Sequence, residues 1–402
     1  MNILVFNCGS SSLTYKVFKL AGPETIETLL SGKAHRVGVK GSAPSYIENT
    51  YEGTTQKTEI PLRNHGEAAG FSLDFVRELG IPVDLVGHRF VHGGNLFKNT
   101  AFIDKDTLHK LRLCLPLAPI HNPISLEVIE VARERLPAAK QYVAFDSAFH
   151  SSIPYYAYTY CLPKKIIEKF GFRKYGFHGL SYSYVINEAA RLTGQDVKKL
   201  KVVACHLGTG GASAAAIRNG RSEDNSMGYS PLPGLVMSTR AGDIDPIVSL
   251  YLMNVYGLRS DALMDILNKE SGLLGVSGFS SDITDILRRF PDDADEQAQG
   301  RLAIDIYVHR LKKYIGGYAT VLGGIDMLIF TDDIGAKNPE LRGRVCGNMG
   351  WCGIALDEAR NLAQTAGEEA ALISRAGSKV KVVIVPTKEE LVICLEGVRL
   401  LQ

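Results

Sequence analysis

Two short turns built of glycine and hydroxyl residues carry the strongest chemical signal in the sequence. Asn7-Cys8-Gly9-Ser10-Ser11-Ser12 follows the apolar start Asn2-Ile3-Leu4-Val5-Phe6. After it, Leu13, Tyr15 and Val17 alternate with Thr14, Lys16 and Phe18 as in a second strand. The arrangement recurs about 200 residues later: Lys201-Val202-Val203-Ala204-Cys205, then His206-Leu207-Gly208-Thr209-Gly210-Gly211, then Ala212 to Ile217 and a hairpin turn at Asn219-Gly220. A strand–turn–strand of this composition can aim several N–H and O–H donors at one point, which suits a phosphate; an ordinary polar hairpin uses the same residues.

Other reactive side chains sit at punctuated positions. Asp146 follows an apolar strand over 141–144, and an acid there is either a hydrogen-bonded turn residue or a site residue. Arg89 and two histidines lie in a polar segment, Gly87-His88-Arg89-Phe90-Val91-His92-Gly93-Gly94, after a short strand at Val83–Val86. His88 and His92 lack a third ligand nearby to make a metal site. His178 lies in the glycine-bounded turn Tyr175-Gly176-Phe177-His178-Gly179. Arg240 lies in a run of turn formers, where small neighbours let a guanidinium grip an oxyanion bidentately; a surface arginine reads the same way.

The elements that must position these residues alternate between strand and helix in both halves, which reads as α/β. Helical spacing runs from His65 to Leu79, from Asn122 through Ala132 and from about Tyr182 to Leu192. Helices fill about 246–270, and a long helix covers about 292–316. Ser271 to Ser281 reads as a loop. A strand over 325–330 ends in the turn Thr331-Asp332-Asp333-Ile334-Gly335. A last strand at 380–386 leads to a short terminal helix. A chain of 402 residues has material for two domains. Net charge is +2, giving no bulk attraction for nucleic acid or an anionic membrane, and no apolar run reaches bilayer length. Seven scattered cysteines without framework spacing point to reduced thiols and a cytoplasmic protein; Cys346 and Cys352 read as packing.

The motifs together, in order and over the whole chain, resemble the acetate kinase family. They include the two turns above, Ala118-Pro119-Ile120-His121-Asn122-Pro123, Phe145-Asp146-Ser147-Ala148-Phe149-His150, Thr239-Arg240-Ala241-Gly242-Asp243-Ile244-Asp245-Pro246 and Pro386-Thr387-Lys388-Glu389-Glu390-Leu391. The resemblance implies a duplicated ribonuclease-H-like fold, shared with actin, chaperone ATPases and sugar kinases, with a central interdomain cleft. Residues 1–147 with 390–402 would form one domain and 148–389 the other. It implies reversible phosphoryl transfer between acetate and acetyl phosphate by a homodimer, with no nucleic acid or membrane partner. Arg89, Arg240, His178, Asp146 and His121 match catalytic positions. Val91, Ile120, Phe177 and Pro231 match the pocket for the methyl group. Ser10, Ser11, Ser12, His206, Gly208, Thr209, Gly210 and Gly211 match phosphate-binding positions, and Asn7 and Glu389 match positions that place Mg²⁺, or Mn²⁺, through water.

The departures from the family pattern fall at one end. Thr209-Gly210, with an added Gly211, replaces the usual Asn-Gly, and Asp332-Asp333-Ile334-Gly335 replaces a small-residue turn that borders the adenosine pocket. Thr14 replaces a lysine, and Leu180-Ser181-Tyr182 replaces Thr-Ser-His. Two aspartates bring bulk and negative charge to the donor pocket. This set is similar to the diphosphate-dependent acetate kinases, which use diphosphate and phosphate in place of ATP and ADP. The alternatives are an ATP-dependent acetate or propionate kinase and, outside enzymes, a nucleotide-gated binding module.

Overall fold

The computed structural model describes residues 1–22, 25–39, 41, 43–288, 294–365 and 369–402. The chain divides into two units, Met1–Phe149 with Lys388–Gln402, and His150–Thr387. Glu389, assigned to the second half by the sequence reading, therefore belongs to the first unit.

The first unit holds strands β1 (Asn2–Cys8), β2 (Ser12–Leu20), β3 (Ile26–His35), β4 (Tyr46–Tyr51), β5 (Thr54–Glu59), β6 (Leu85–Phe90), β7 (Ala101–Phe102) and β8 (Lys140–Phe145). Their order in the sheet is β5-β4-β3-β2-β1-β6-β8-β7. β1 to β5 form an antiparallel meander, whereas β1, β6 and β8 run parallel. Ile3 to Phe6 of β1 are buried without a polar face, as in a central strand covered on both sides; every residue of β5, at the edge, is exposed. One face packs Leu4, Phe6, Leu13, Tyr15 and Val17 against Ala68, Ala69, Leu73 and Val76 of the helix His65–Glu78, with Val128 and Ala132 of the helix Asn122–Arg135.

The opposite face carries the C-terminal helix Glu389–Arg399. The Tyr142 hydroxyl donates to the Ile393 carbonyl at 2.6 Å. A Cβ on either Gly87 or Gly397 would lie 2.4 Å from the Tyr142 ring, so the two glycines let helix and sheet close on it. This docking brings the first turn of the helix, with Glu389 and Glu390, to the ends of β1 and β6.

The second unit holds β9 (Lys201–Leu207), β10 (Ala212–Arg218), β11 (Arg221–Asn225), β12 (Met327–Thr331), β13 (Ala371–Leu372) and β14 (Lys381–Ile384), in the order β11-β10-β9-β12-β14-β13. Five strands repeat the first unit's pattern: β11-β10-β9-β12-β14 matches β3-β2-β1-β6-β8, with two antiparallel steps and then two parallel ones. The turn Gly9–Ser12 of β1–β2 corresponds to Gly208–Gly211 of β9–β10; each closes with an N–H donated to the carbonyl three residues on in the chain, at 2.8 and 3.1 Å. The duplicated ribonuclease-H-like architecture is thus explicit in strand order. The helices Gly179–Leu192 and Ala294–Leu322 pack against this sheet.

Four local expectations change. Gly87 to Phe90, read as a polar segment beyond the strand, continue strand β6, because His88 turns inward onto Gln141 (2.9 Å) and Gly87 makes room for Tyr142. The stretch 271–281 contains a helix, Gly272–Ser277, and Asp332 to Gly335 open another, Asp332–Lys337. The long helix runs on to Leu322; residues 292 and 293, where it was expected to start, lie outside the described residues. Among the described residues no helix is long and apolar enough to cross a membrane.

Candidate active site

In the first unit the carboxyl ends of the parallel strands converge, the usual site position in a sheet of this kind. Asn7 and Arg89 each lie one residue from the end of their strands, β1 and β6, and Asp146 directly follows β8. Arg89 Nε donates to both Asp146 carboxylate oxygens at 3.1 Å, and Nη2 donates to Oδ2 at 2.6 Å. Nη1 donates to Asn7 Oδ1 at 2.9 Å and lies 3.4 Å from Glu389 Oε2. Asn7 Nδ2 donates to Glu389 at 3.0 Å and Glu390 at 2.8 Å, and Lys16 pairs with Glu390 at 3.1 Å. Asp146 is 1% exposed and Arg89 17%. Burial opposes the guanidinium charge, but the attraction of Asp146 and Glu389 outweighs it and raises the Arg89 pKa. Asp146 thus resolves as a residue that fixes the plane of an arginine, consistent with a fork–fork pair.

This cluster sets three carboxylates against two cations, with oxygen-only ligands besides. Among the described residues no group of three His, Cys, Asp or Glu is placed to ligate one ion. An excess of hard oxygen donors without a closed cage fits Mg²⁺ held by few protein atoms and its own water. His88 and His92 do not belong to it. His88 is buried, neutral and pushed down to about 4 by desolvation, and His92 Nδ1 accepts from the Gly94 N–H. Cys8 is pushed up to about 12 by burial and is no nucleophile.

Within the first turn, His65 Nε2 lies 3.0 Å from the Gly9 carbonyl and fixes the loop. Among the described residues nothing hydrogen-bonds the hydroxyls of Ser10, Ser11 and Ser12, the first two of which are exposed. Val91 is buried beyond β6, and Ile120, 51% exposed, and His121 lie in the turn before the helix Asn122–Arg135.

The second unit gathers another set. His178 has a left-handed backbone, φ +61°, at the head of the helix Gly179–Leu192. Its Nδ1 is 2.8 Å from Ser213 Oγ, and its ring stacks on His206 with centroids 4.0 Å apart. His206 Nδ1 is 2.9 Å from Ser181 Oγ, and Nε2 is 3.0 Å from Asp332 Oδ2. Arg240 Nη1 donates to the Pro231 carbonyl at 3.4 Å, and burial lowers its pKa. Among the described residues Arg240 pairs with no carboxylate, so a desolvated cation is left for an anionic ligand. A Cβ at Gly211 would lie 3.3 Å from Arg240 Nη1 and 3.7 Å from His178 Nε2, so both groups flank one point. Phe177 is buried in this unit beside its carbonyl bond from His150. The four expected pocket residues are therefore split, Val91 and Ile120 in one unit, Phe177 and Pro231 in the other.

The two turns differ in one respect. Asp333 accepts from the Thr209 N–H at 3.0 Å and from its hydroxyl at 2.8 Å, and also caps the Ile334 N–H at 2.8 Å. Asp332, at φ +66°, leans over Gly208, where a Cβ would lie 2.0 Å from its Oδ2. The donors that the sequence reading gave to a phosphate at Thr209 are thus held by the chain's own carboxylate. Buried Arg342 braces this segment from behind, donating to the carbonyls of Gly335 (3.0 Å) and Ala336 (2.7 Å) and to Asn361 Oδ1 (2.7 Å). Sequence reasoning missed Lys16, Glu390, Ser213 and Arg342. The strand alternation and the doubled Glu389-Glu390 could have flagged the first two; an arginine in the amphipathic helix Pro339–Cys346 reads as surface.

A family model described as the Acetokinase family matches residues 2–395. The acetate kinase of Caldanaerobacter subterraneus subsp. tengcongensis is 40% identical over 100% of this chain and 99% of its own length. The crystal structure of acetate kinase from Entamoeba histolytica is 44% identical, with a TM-score of 0.89 over 99% of both chains. A propionate kinase structure from Francisella tularensis subsp. tularensis is 33% identical, with a TM-score of 0.87 over 98% of both. The fold is that of the duplicated ribonuclease-H-like phosphotransferases. Within that class the chain belongs to the acetokinase family, kinases that transfer phosphate to a carboxyl group.

Proposed function

We propose that this protein interconverts acetate and acetyl phosphate, with diphosphate as donor and phosphate as acceptor in reverse. The observation that supports the donor assignment is the seating of Asp333 on Thr209 and of Asp332 over Gly208. A nucleotide needs this turn open for its phosphates and ribose. Diphosphate needs only phosphate sites, and the hydroxyls of Ser10 to Ser12 offer one.

An acetate oxygen bonds to one phosphorus as the bridging P–O bond breaks and phosphate leaves. The nucleophile is already ionised at neutral pH, so no general base is required. Catalysis then rests on alignment and charge. Arg89, its plane set by Asp146, orients acetate and the transferring group, and Arg240 and His178 meet the equatorial oxygens. Asn7 and Glu389 would hold Mg²⁺, or Mn²⁺, through water, and the ion would neutralise the diphosphate charge. His121 borders the acetate, and Val91, Ile120, Phe177 and Pro231 take its methyl group. An extra methylene changes binding by only ~1–3 kcal/mol, so propionate is a slower substrate.

ATP dependence is the second reading, favoured by the 29% exposure of Asp332, whose carboxylate can accept from a ribose hydroxyl. Trapping acetyl phosphate as its hydroxamate, with acetate, Mg²⁺ and either diphosphate or ATP, separates the two. Diphosphate should give the faster reaction; no product with either donor would refute both. All seven cysteines are free thiols, in keeping with a reducing cytoplasm. A homodimer would use the helix Pro246–Asn254, where Ile247, Val248, Leu250 and Tyr251 are each at least half exposed.

A further inference from the structure

Behind His178 lies a chain of hydroxyls without exposed surface. Tyr182, at a position where the sequence departs from the family pattern, and Ser213 are both 0% exposed. The Tyr182 hydroxyl is 2.6 Å from Ser213 Oγ, which is 2.8 Å from His178 Nδ1. Burial raises the Tyr182 pKa far above its ordinary value, although hydrogen bonding with Ser213 and the His206 backbone works the other way. Either hydroxyl of the Tyr182–Ser213 pair can donate; with the phenol as donor, its proton points to Ser213 Oγ. Ser213 has one proton of its own and passes it on, to Nδ1. Nδ1 is then an acceptor, and a neutral His178 carries its proton on Nε2. That nitrogen faces the point near Gly211 that Arg240 also approaches. The stacked His206, itself held by Asp332 and Ser181, fixes the plane of the His178 ring.

We propose that Tyr182 and Ser213 are positioning residues that fix His178 in its Nε2–H tautomer, so that a neutral imidazole donates a hydrogen bond to the transferring phosphoryl beside Arg240. The proposal rests on the reading of His178 as a phosphoryl contact. A Ser213 hydroxyl that donates to Nδ1 leaves the Nε2 proton for the phosphoryl oxygen.

The test is long-range ¹H–¹⁵N spectroscopy of the histidine-labelled enzyme, with the His178 signals identified from His178→Ala. Wild type should show Nε2–H without substrate. Ser213→Ala should shift the signal towards Nδ1–H and lower kcat about tenfold, the order one hydrogen bond commands, with KM for acetate within about twofold. Ser213→Thr should restore both, and Tyr182→Phe should lower kcat about threefold. An Nδ1–H wild type, or a folded Ser213→Ala enzyme with kcat within about twofold of wild type, overturns the proposal. If instead His178→Ala leaves kcat unchanged, the phosphoryl-contact reading itself falls; the spectrum still reports the tautomer independently.

Discussion

Asp146→Asn is the perturbation that most sharply separates an acid acting through an arginine from one acting on its own. The carboxylate takes three hydrogen bonds from Arg89, at 2.6, 3.1 and 3.1 Å, and is 1% exposed. Asparagine keeps the volume and one acceptor, but turns an NH₂ toward guanidinium N–H groups. Asn7 and Glu389 still face Nη1, so the cation keeps partial compensation. The stability cost is therefore that of one charge-assisted bond, about 1.5–3 kcal/mol, below the ~3–5 kcal/mol of an uncompensated buried charge. The freed guanidinium tilts toward Glu389, and a displacement of about 1 Å at a reacting group costs on the order of 100-fold in rate. The assay is kcat/KM for acetate in Asp146→Asn, Arg89→Ala and the double variant, beside their urea midpoints. If Asp146 works by ordering Arg89, its substitution in the Arg89→Ala background changes the rate by no more than about threefold. Losses that multiply in the double variant would refute the reasoning and give Asp146 an independent role.

Other consequences follow from the same geometry. Arg240→Ala should reduce kcat by about 10²–10⁴ with folding intact, since among the described residues no carboxylate depends on that guanidinium; retention of more than about a tenth of the rate contradicts its assignment. Gly211→Ala should push Arg240 Nη1, 3.3 Å from the new Cβ, and lower kcat about tenfold or more without moving the thermal midpoint. Asp333→Ala should release the Thr209 donors and raise the ratio of ADP to phosphate rates about tenfold, read from coupled assays. His88 and His150 are pushed down from 6.5 to about 4 by burial. The unfolded chain takes up protons below 6.5 and the folded chain only near 4, so each histidine costs about 1.4 kcal/mol of stability per pH unit in that window. A thermal midpoint that stays flat between about pH 7 and pH 5 would contradict this. Replacing Ile247 and Leu250 by Asp should yield monomers in light scattering if the helix Pro246–Asn254 joins two copies.

Apolar runs made the central strands readable, and the repeated small-residue turns announced the duplication before any strand order was known. Arg89 was misplaced because its strand carries His88 and Gly87, polar and small residues whose reason is burial against Gln141 and Tyr142. Asp332 and Asp333 were recognised as unusual, but not that Asp333 would bind Thr209. That contact joins residues more than a hundred positions apart, and strand pairing of β9 with β12 alone creates it. The hydroxyl chain through Ser213 was invisible for the same reason: alternation marks a strand, not which serine faces a histidine. Arg342 gave no signal, since its partners are mostly backbone carbonyls.

The most direct measurement of the central claim is the rate at which acetyl phosphate is consumed with phosphate or with ADP as acceptor, at matched Mg²⁺. A chain whose second turn is closed by Asp332 and Asp333 should turn over with phosphate and form diphosphate, with ADP far slower. An ADP rate well above the phosphate rate would contradict the account and make the protein an ATP-forming kinase with an altered nucleotide pocket.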